Sequence, residues 1–427
     1  MTGPAALTEK PSRVRYWVLF FTVTLAIVTY IDRVALSVAG PYISKDLALS
    51  KEQFGLLSTA FALAYAVFEI PGGYLGDWLG PRRVILRIVL WWSFFTAATG
   101  WARSWGQMMA ARFLFGAGEA GCFPNLTKMF TVWLPEHERI RAQGLLWLSA
   151  RWGGAFTPLL ATPIIVAVGW RHSFELLGLL GVVWAIAFYF WYRDNPLSHP
   201  RMNDAEKDLL RHGATRVIGH ASAPWGKLLA NRRVWLLCWQ YFFLSYGWYF
   251  NISWLPTYLR EERHMNVNEA ALFGVLPLFM GGLGNPVSVF LTEQFLRITG
   301  NLDWTRRIVA SIGFAGACGF LILTTFMESA PLAVICIAMS SFCNDLAMPP
   351  SWAATMDLGG RYAGTLSGAM NSWGNLGGAA APAAIGYILT ATASNWNLTF
   401  YVSAAVYAAA IPCWLALDSV TPIKELE

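Results

Sequence analysis

The stretch Gly73-Tyr74-Leu75-Gly76-Asp77-Trp78-Leu79-Gly80-Pro81-Arg82-Arg83 joins two apolar runs, 53–76 and 84–102. Each run approaches the roughly 20 residues that carry an α-helix across a bilayer. Glycines permit a tight turn between them, and an acid beside basic residues can latch neighbouring helix ends in one conformation. Such a loop decides the fold only if its neighbours repeat the pattern. Walking outward on the same length rule gives twelve apolar spans, near 16–40, 53–76, 84–102, 106–131, 139–166, 171–192, 233–259, 269–295, 306–327, 331–355, 362–391 and 397–417.

Composition agrees. Of 427 residues, 56% are hydrophobic and 13% charged, against about 25% charged in a soluble domain; mean hydropathy is +0.44. Apart from one break, no long polar segment exists to cover a soluble surface, which excludes a soluble enzyme, a disulfide scaffold, a disordered chain and a nucleic-acid-binding factor. All six cysteines lie in apolar stretches without metal-ligand spacing, and neither a metal site nor a redox site is indicated. Lys10, Arg13 and Arg15 before the apolar run 16–31 imitate a signal peptide, but the run continues past Asp32 and Arg33 to about Gly40. That exceeds a signal core, so it is read as the first span. The fold class expected is an all-α polytopic membrane protein.

One polar break is long: 193–232, rich in charge and proline. It divides the chain into a first six-helix bundle (1–192), a central loop (193–232) and a second bundle (233–427). Within the loop, Asn203 followed by Glu206 predicts a short surface helix over 204–212. The bundles carry a repeat: Gly144, Gly153, Gly154, Ala155 and Pro158 in span 5 recur at the same spacing as Gly368, Gly377, Gly378, Ala379 and Pro382 in span 11. Two related halves describe a secondary transporter with a midplane site. The connections on the side of the termini carry Arg82, Arg83, Arg139, Arg141, the basic central loop, Arg297, Arg306, Arg307 and Arg361. The positive-inside rule makes that side cytoplasmic, in the inner membrane if the source is bacterial.

The loop quoted first resembles the GxLxDxxGxR(R/K) signature of the major facilitator superfamily, at the position where that family places it. Three further stretches narrow the match: Tyr30-Ile31-Asp32-Arg33, Trp254-Leu255-Pro256-Thr257-Tyr258-Leu259, and Gly359 through Gly368. Together they resemble the anion:cation symporter family, which includes sugar-acid, tartrate and phthalate permeases, sialin and the vesicular glutamate transporters. The resemblance runs from about residue 15 to 417. It implies a twelve-helix transporter working by alternating access, with Gly73, Asp77, Gly80, Arg82 and Arg83 as a conformational latch. A GAGEAG run, Gly116 to Gly121, satisfies a dinucleotide fingerprint but follows no strand, and is read as close helix packing.

Ionisable residues inside a membrane cost at least about 2.5 kcal/mol and usually face a cavity or a partner. The candidates are Asp32, Arg33, Glu69, Arg112, Glu119, Arg151 and Asp345. At about 1.5 Å rise per residue, Asp32, Arg33 and Arg112 share one level in the outer half, with Glu119 two turns below Arg112. By the family resemblance, Arg33 and Arg112 contact a substrate carboxylate while Asp32 and Glu119 take protons. The alternative is a structural network of Asp32, Arg112 and Glu119. Glu69 and Arg151 fall roughly 12 and 18 Å above the face of the termini, so Arg151 is either a third anion ligand or the neutralising partner of Glu69. Asp345 is polar lining or a gate. Hydroxyl and amide groups at Tyr30, Tyr65, Tyr249, Asn251, Ser351, Asn371, Ser372 and Asn375 suit a polyhydroxylated acid.

The expected function is proton-coupled uptake of a small organic anion, a sugar acid or related carboxylate, with the proton as coupling ion and no other cofactor. Anion exchange, proton-driven export and a transporter-like sensor stay open. A membrane enzyme is disfavoured, because no nucleophile–base set or metal motif occurs. The partners expected are the anion, the proton and the lipid bilayer, with no nucleic acid and one chain sufficing for transport.

Overall fold

The computed structural model describes residues 10–213, 224–392 and 394–423, apart from the side chains at 51, 52, 212, 213, 267, 268 and 271. Part of the central loop, 214–223, lies outside the described residues. Twelve crossings follow one another. Spans 1 to 3 are Tyr16–Asp46, Lys51–Leu79 and Pro81–Trp101. Span 4 comes in two pieces, Trp105–Glu119 and Cys122–Trp133. Spans 5 and 6 form one helical run, Glu136–Trp191, broken at Gly169. In the second half, span 7 is Arg232–Ser253, span 8 Val267–Thr299 and span 9 Leu302–Thr324. Span 10 is again in two pieces, Ala330–Asp345 and Met348–Gly359; spans 11 and 12 are Ala363–Ala391 and Trp396–Ala416.

Among the described residues, eight continuous helical stretches are apolar and long enough to cross a membrane. Glu136–Trp191 and Ala330–Ala391 each hold two crossings, and spans 4 and 7 complete the twelve. The corner between spans 5 and 6 depends on Gly169, whose φ of +79° suits glycine alone. The rings of Trp133 and Trp191 lie 5.2 Å apart, bringing the far end of span 6 back to the end of span 4, beside the start of span 5.

Helix starts repeat between the halves. Ser50 accepts from Gln53 N while Gln53 accepts from Ser50 N, at 3.1 and 3.0 Å. Asn266 and Glu269 make the same reciprocal cap at 2.9 and 3.1 Å, at the head of span 8. Each cap satisfies amides that the first helical turn leaves orphaned. The glycine repeat also acts alike in both halves. A Cβ on Gly153 would meet the Ile27 backbone, and one on Gly377 the Phe242 backbone; Gly154 faces Tyr30 as Gly378 faces Tyr249. Small residues thus let span 5 approach span 1 and span 11 approach span 7.

The surface helix of the central loop runs Asp204–Gly213. Asn203 caps it, accepting from Glu206 N at 3.0 Å. The Glu206 carboxylate does not return to the cap; it accepts from Ser12 Oγ, Val14 N, Arg15 N and Arg15 Nη1 at the start of span 1. Arg15 also pairs with Glu138 at 2.9 Å, so loop, first span and fifth span are tied at the face of the termini.

That face is also where the halves are clamped. Arg139 and Arg306 share Asp357, at 3.4 and 2.6 Å, and Arg141 pairs with Glu293 at 2.5 Å. Lys128 donates to the Arg361 carbonyl. Higher up, Trp147 meets Trp352 at 5.2 Å and Trp152 stacks on Phe279 at 5.3 Å.

Candidate functional site

The loop motif divides its labour differently from the turn-and-latch expectation. Only Gly80 makes the turn, with φ +86°. Gly73 and Gly76 are inside span 2, where a Cβ would press Gly73 into the Gly364 backbone and Gly76 into Asn125. Asp77 caps the head of span 11 across the interface between halves, accepting from Gly364 N (3.1 Å), Thr365 N (2.6 Å) and Thr365 Oγ1 (2.7 Å). Its cation is Lys128 at 3.1 Å, not the neighbouring arginines. Arg82 instead donates to the Tyr189 carbonyl at 2.6 Å, its guanidinium 4.7 Å from that ring, while its amide bonds Asp194. Arg83 is exposed. Lys128 was legible as a charge inside an apolar run, and reading by motif passed over it.

Span 4 breaks at the GAGEAG run because Gly121 adopts φ +82° with its backbone against Gly72. The break frees the Gly121 amide, and Glu69 of span 2 accepts it at 2.8 Å. The other Glu69 oxygen accepts from Asn371 Nδ2 of span 11 at 2.5 Å, with the Tyr65 hydroxyl 3.5 Å away. The expected Glu69–Arg151 pair is therefore absent. Span 2 packs against spans 4 and 11, so an acid at the right depth finds an amide there. Arg151 bonds Asp345 of span 10 instead, Nε and Nη2 donating at 2.8 and 3.1 Å.

In the first bundle four charges gather. Arg33 Nε donates to Glu119 at 2.6 Å. The Arg33 guanidinium is ringed by Tyr65, Tyr30, Phe61 and Phe123, with centroids 4.6 to 5.9 Å away. Its Nη2 has no partner among the described residues, and the side chain keeps 22% of its surface exposed. Arg112 lies against Phe115 at 4.3 Å and Phe61 at 5.3 Å, and its Nε is likewise unpartnered among the described residues. Asp32 is buried, and both its oxygens lack a hydrogen bond among the described residues, as do the buried Trp92 Nε1 and Thr96 Oγ1. Buried polar groups ordinarily find partners. A site with surplus donors and acceptors at one level can exchange protons and accept an anion without dismantling the packing around it.

The amide and hydroxyl candidates separate into two groups. Tyr30 stands beside Arg33; Asn375 accepts from Tyr249 Oη at 3.4 Å and donates to the Asn371 carbonyl. Asn251 reaches Ser341 Oγ at 3.5 Å and keeps a buried oxygen unpartnered among the described residues. Ser372 donates to the Ala66 carbonyl at 3.0 Å, linking span 11 to span 2. Ser351 departs from the substrate role expected of it: fully buried, it donates to the Ala347 carbonyl and to Gln240, which also receives Trp414 Nε1. It ties spans 7, 10 and 12 together inside the second bundle. Trp248, whose ring centroid lies 3.3 Å from the Arg151 guanidinium carbon, and Asn285, which donates to Asp345 at 3.3 Å, were not singled out from the sequence. Trp248 is one of 22 tryptophans and carries no mark of its own, whereas Asn285 interrupts an apolar run in the same way as Asn251 and Asn371 and could have been found by that signal.

Residues 22–382 match the model of the Major Facilitator Superfamily. The chain is 37% identical to a probable sulfoacetate transporter of Cupriavidus necator over 398 residues, 92% of this chain and 91% of that one. It is 28% identical to a probable galactarate/D-glucarate transporter of Bacillus subtilis, over 98% and 94% of the two chains. Among solved structures, the transporter FucP in the outward conformation superposes with a TM-score of 0.75 at 14% identity, covering 94% and 99%. The human organic anion transporter MFSD10 gives 0.71 at 15%, covering 95% and 100%; both likenesses speak for the fold alone. The chain belongs to the Major Facilitator Superfamily, in its anion:cation symporter type. It is an integral multi-pass membrane transporter, not an enzyme.

Proposed function

We propose that this member of the Major Facilitator Superfamily takes up a small organic anion, a sugar acid or related carboxylate, together with protons. The observation that carries the reading is the pairing of Arg33 with Glu119 beside Asp32, whose two oxygens lack a hydrogen bond among the described residues, and Arg112, whose Nε lacks one too. While Glu119 is ionised it occupies the guanidinium edge that a substrate carboxylate would use. Protonating Glu119 releases that edge, and the aromatic walls around Arg33 strengthen the electrostatics by excluding water. Arg112 offers the second fork at the same level, and Asp32 holds its charge balance until it too takes a proton. Substrate and proton then bind as mutually dependent ligands, which is the requirement for symport. The relatives named as transporters of sulfoacetate and of galactarate or D-glucarate support anionic cargo. The surplus of arginines on the side of the termini supports a cytoplasmic location for both ends.

The test is uptake into proteoliposomes under an inward pH gradient. Arg33→Ala and Arg112→Lys lose most transport while remaining folded, since lysine lacks the bidentate fork. Glu119→Gln and Asp32→Asn lose accumulation driven by the gradient, and at least one keeps counterflow exchange. Gradient-driven accumulation surviving in both carboxylate variants sinks the coupling assignment. Wild-type binding in both arginine variants sinks the anion assignment.

A further inference from the structure

Arg151 and Asp345 form a bidentate ion pair between the two bundles, with side chains 2% and 0% exposed. Trp248 covers the guanidinium face. Asp345 takes two more donors, Asn285 Nδ2 at 3.3 Å and Asn344 Nδ2 at 3.1 Å. Arg151 engages Asp345 through Nε and Nη2. Around the pair the amide oxygens of Asn251, Asn285 and Asn344 are buried and unpartnered among the described residues. The site is thus polar and not internally saturated.

It also borders the space beside Arg33. The Tyr30 ring lies 5.3 Å from the Arg33 guanidinium and against Gly154, one turn along span 5 from Arg151. Tyr249 approaches the same region from the other bundle, against Gly378 and bonded to Asn375 at 3.4 Å. Two arginines of the first bundle therefore face one central region. Arg33 is countered there by an acid of its own bundle, and Arg151 by an acid of the other.

The difference matters for movement. Rocking of the bundles leaves Arg33–Glu119 intact but pulls on Arg151–Asp345. A desolvated arginine cannot be left without a counter-ion, so the pair parts readily only when another anion takes over the same fork. A carboxylate or sulfonate has the geometry to do so. We propose that Asp345 is the resident stand-in for a second acidic group of the cargo, and that the protein selects dianions, one acid at Arg33 and the other displacing Asp345 from Arg151. This rests on the organic-anion reading above and adds the number of charges that the cargo carries.

The experiment is calorimetric titration of the purified full chain with matched probes. D-Glucarate is set against D-gluconate, in which a hydroxymethyl group replaces the second carboxylate, and sulfoacetate against acetate. Wild type, Arg151→Gln and Asp345→Asn are compared. Removing a charged hydrogen-bonding partner such as Arg151 weakens affinity about ten- to a hundredfold. Arg151→Gln therefore weakens the preferred dianion by that factor while its monoanion stays within about twofold. Asp345→Asn, which removes the internal competitor, tightens the dianion and leaves the monoanion alone. If Arg151→Gln cannot be purified folded, the Asp345→Asn arm decides by itself. Equal weakening of mono- and dianion in either variant, or weaker dianion binding in Asp345→Asn, overturns the second subsite and leaves the organic-anion reading standing. Binding of none of the four probes to wild type overturns both.

Discussion

Replacing Asp77 by alanine tests whether the loop motif holds one conformation, because its carboxylate belongs to span 2 while three of its donors belong to span 11. Hydrogen bonds to a charged group contribute about 1.5–3 kcal/mol each where water is excluded. Two of the three donors are amides at the head of a helix, and removing a cap costs about 0.5–2 kcal/mol. These contributions overlap, and water can reach the amides once the halves part, so a loss of about 2–4 kcal/mol is expected for Asp77→Ala. Only the state clamped at the face of the termini makes these bonds. The loss therefore shifts the balance between states by about 30- to 1,000-fold, enough to bring an otherwise dominant clamped state near parity. Spin labels at the exposed Arg83 and Arg297, one in each bundle, report the separation directly by pulsed dipolar spectroscopy. The expected result is a second, longer distance in Asp77→Ala that is scarce in the parent. A distribution unchanged by the substitution would show that the remaining clamps, Arg139–Asp357–Arg306 and Arg141–Glu293, suffice, and the reasoning about Asp77 would fail.

Arg151 and Asp345 are expected to behave as a buried pair: either single neutralisation costs about 3–5 kcal/mol, and the Arg151→Gln/Asp345→Asn double variant recovers part of it, measured by thermal melting in detergent. Glu69→Gln should instead add to Arg151→Gln without recovery, since their partners differ; a rescued double variant would contradict the assigned bonds. Gly76→Ala, whose Cβ would come within 2.6 Å of Asn125 Cγ, should cost about 1–3 kcal/mol by overpacking. Gly55→Ala, with open space around the new methyl, should be neutral in the same melting assay.

Helix rise is constant, so depth along each span could be read from residue number alone. Asp32, Arg33, Arg112 and Glu119 were placed near one another on that ground, and the structure brings them together. Azimuth and neighbour choice are a different matter. Glu69 and Arg151 have compatible depths, yet span 2 lies beside spans 4 and 11 while span 5 lies beside spans 1 and 8. Nothing in hydropathy distinguishes those arrangements, because each span is apolar over most of its circumference. Broken helices were missed for a related reason. The breaks at Gly121 and between Asp345 and Met348 fall inside runs that are apolar on average, so the length rule counts each as one continuous crossing without weighing the breakers beside them, Gly121 and Pro124 in one and Pro349 and Pro350 in the other.

The same breaks explain why the misplaced partners matter for function. At Gly121 the interruption exposes an amide that Glu69 takes, which leaves the Glu69 carboxylate bound to donors in both bundles and committed to the clamp between spans 2, 4 and 11. Arg151 is then free of Glu69, and the interruption after Asp345 ends the upper helix of span 10 at the acid that meets it. A charge in the first bundle is thereby countered from the second, at the level where the central arginines stand. Had Glu69 held Arg151, both charges would have moved together within one bundle and reported nothing about the other. The pairing found makes the electrostatic balance of the central site depend on how the bundles sit against each other.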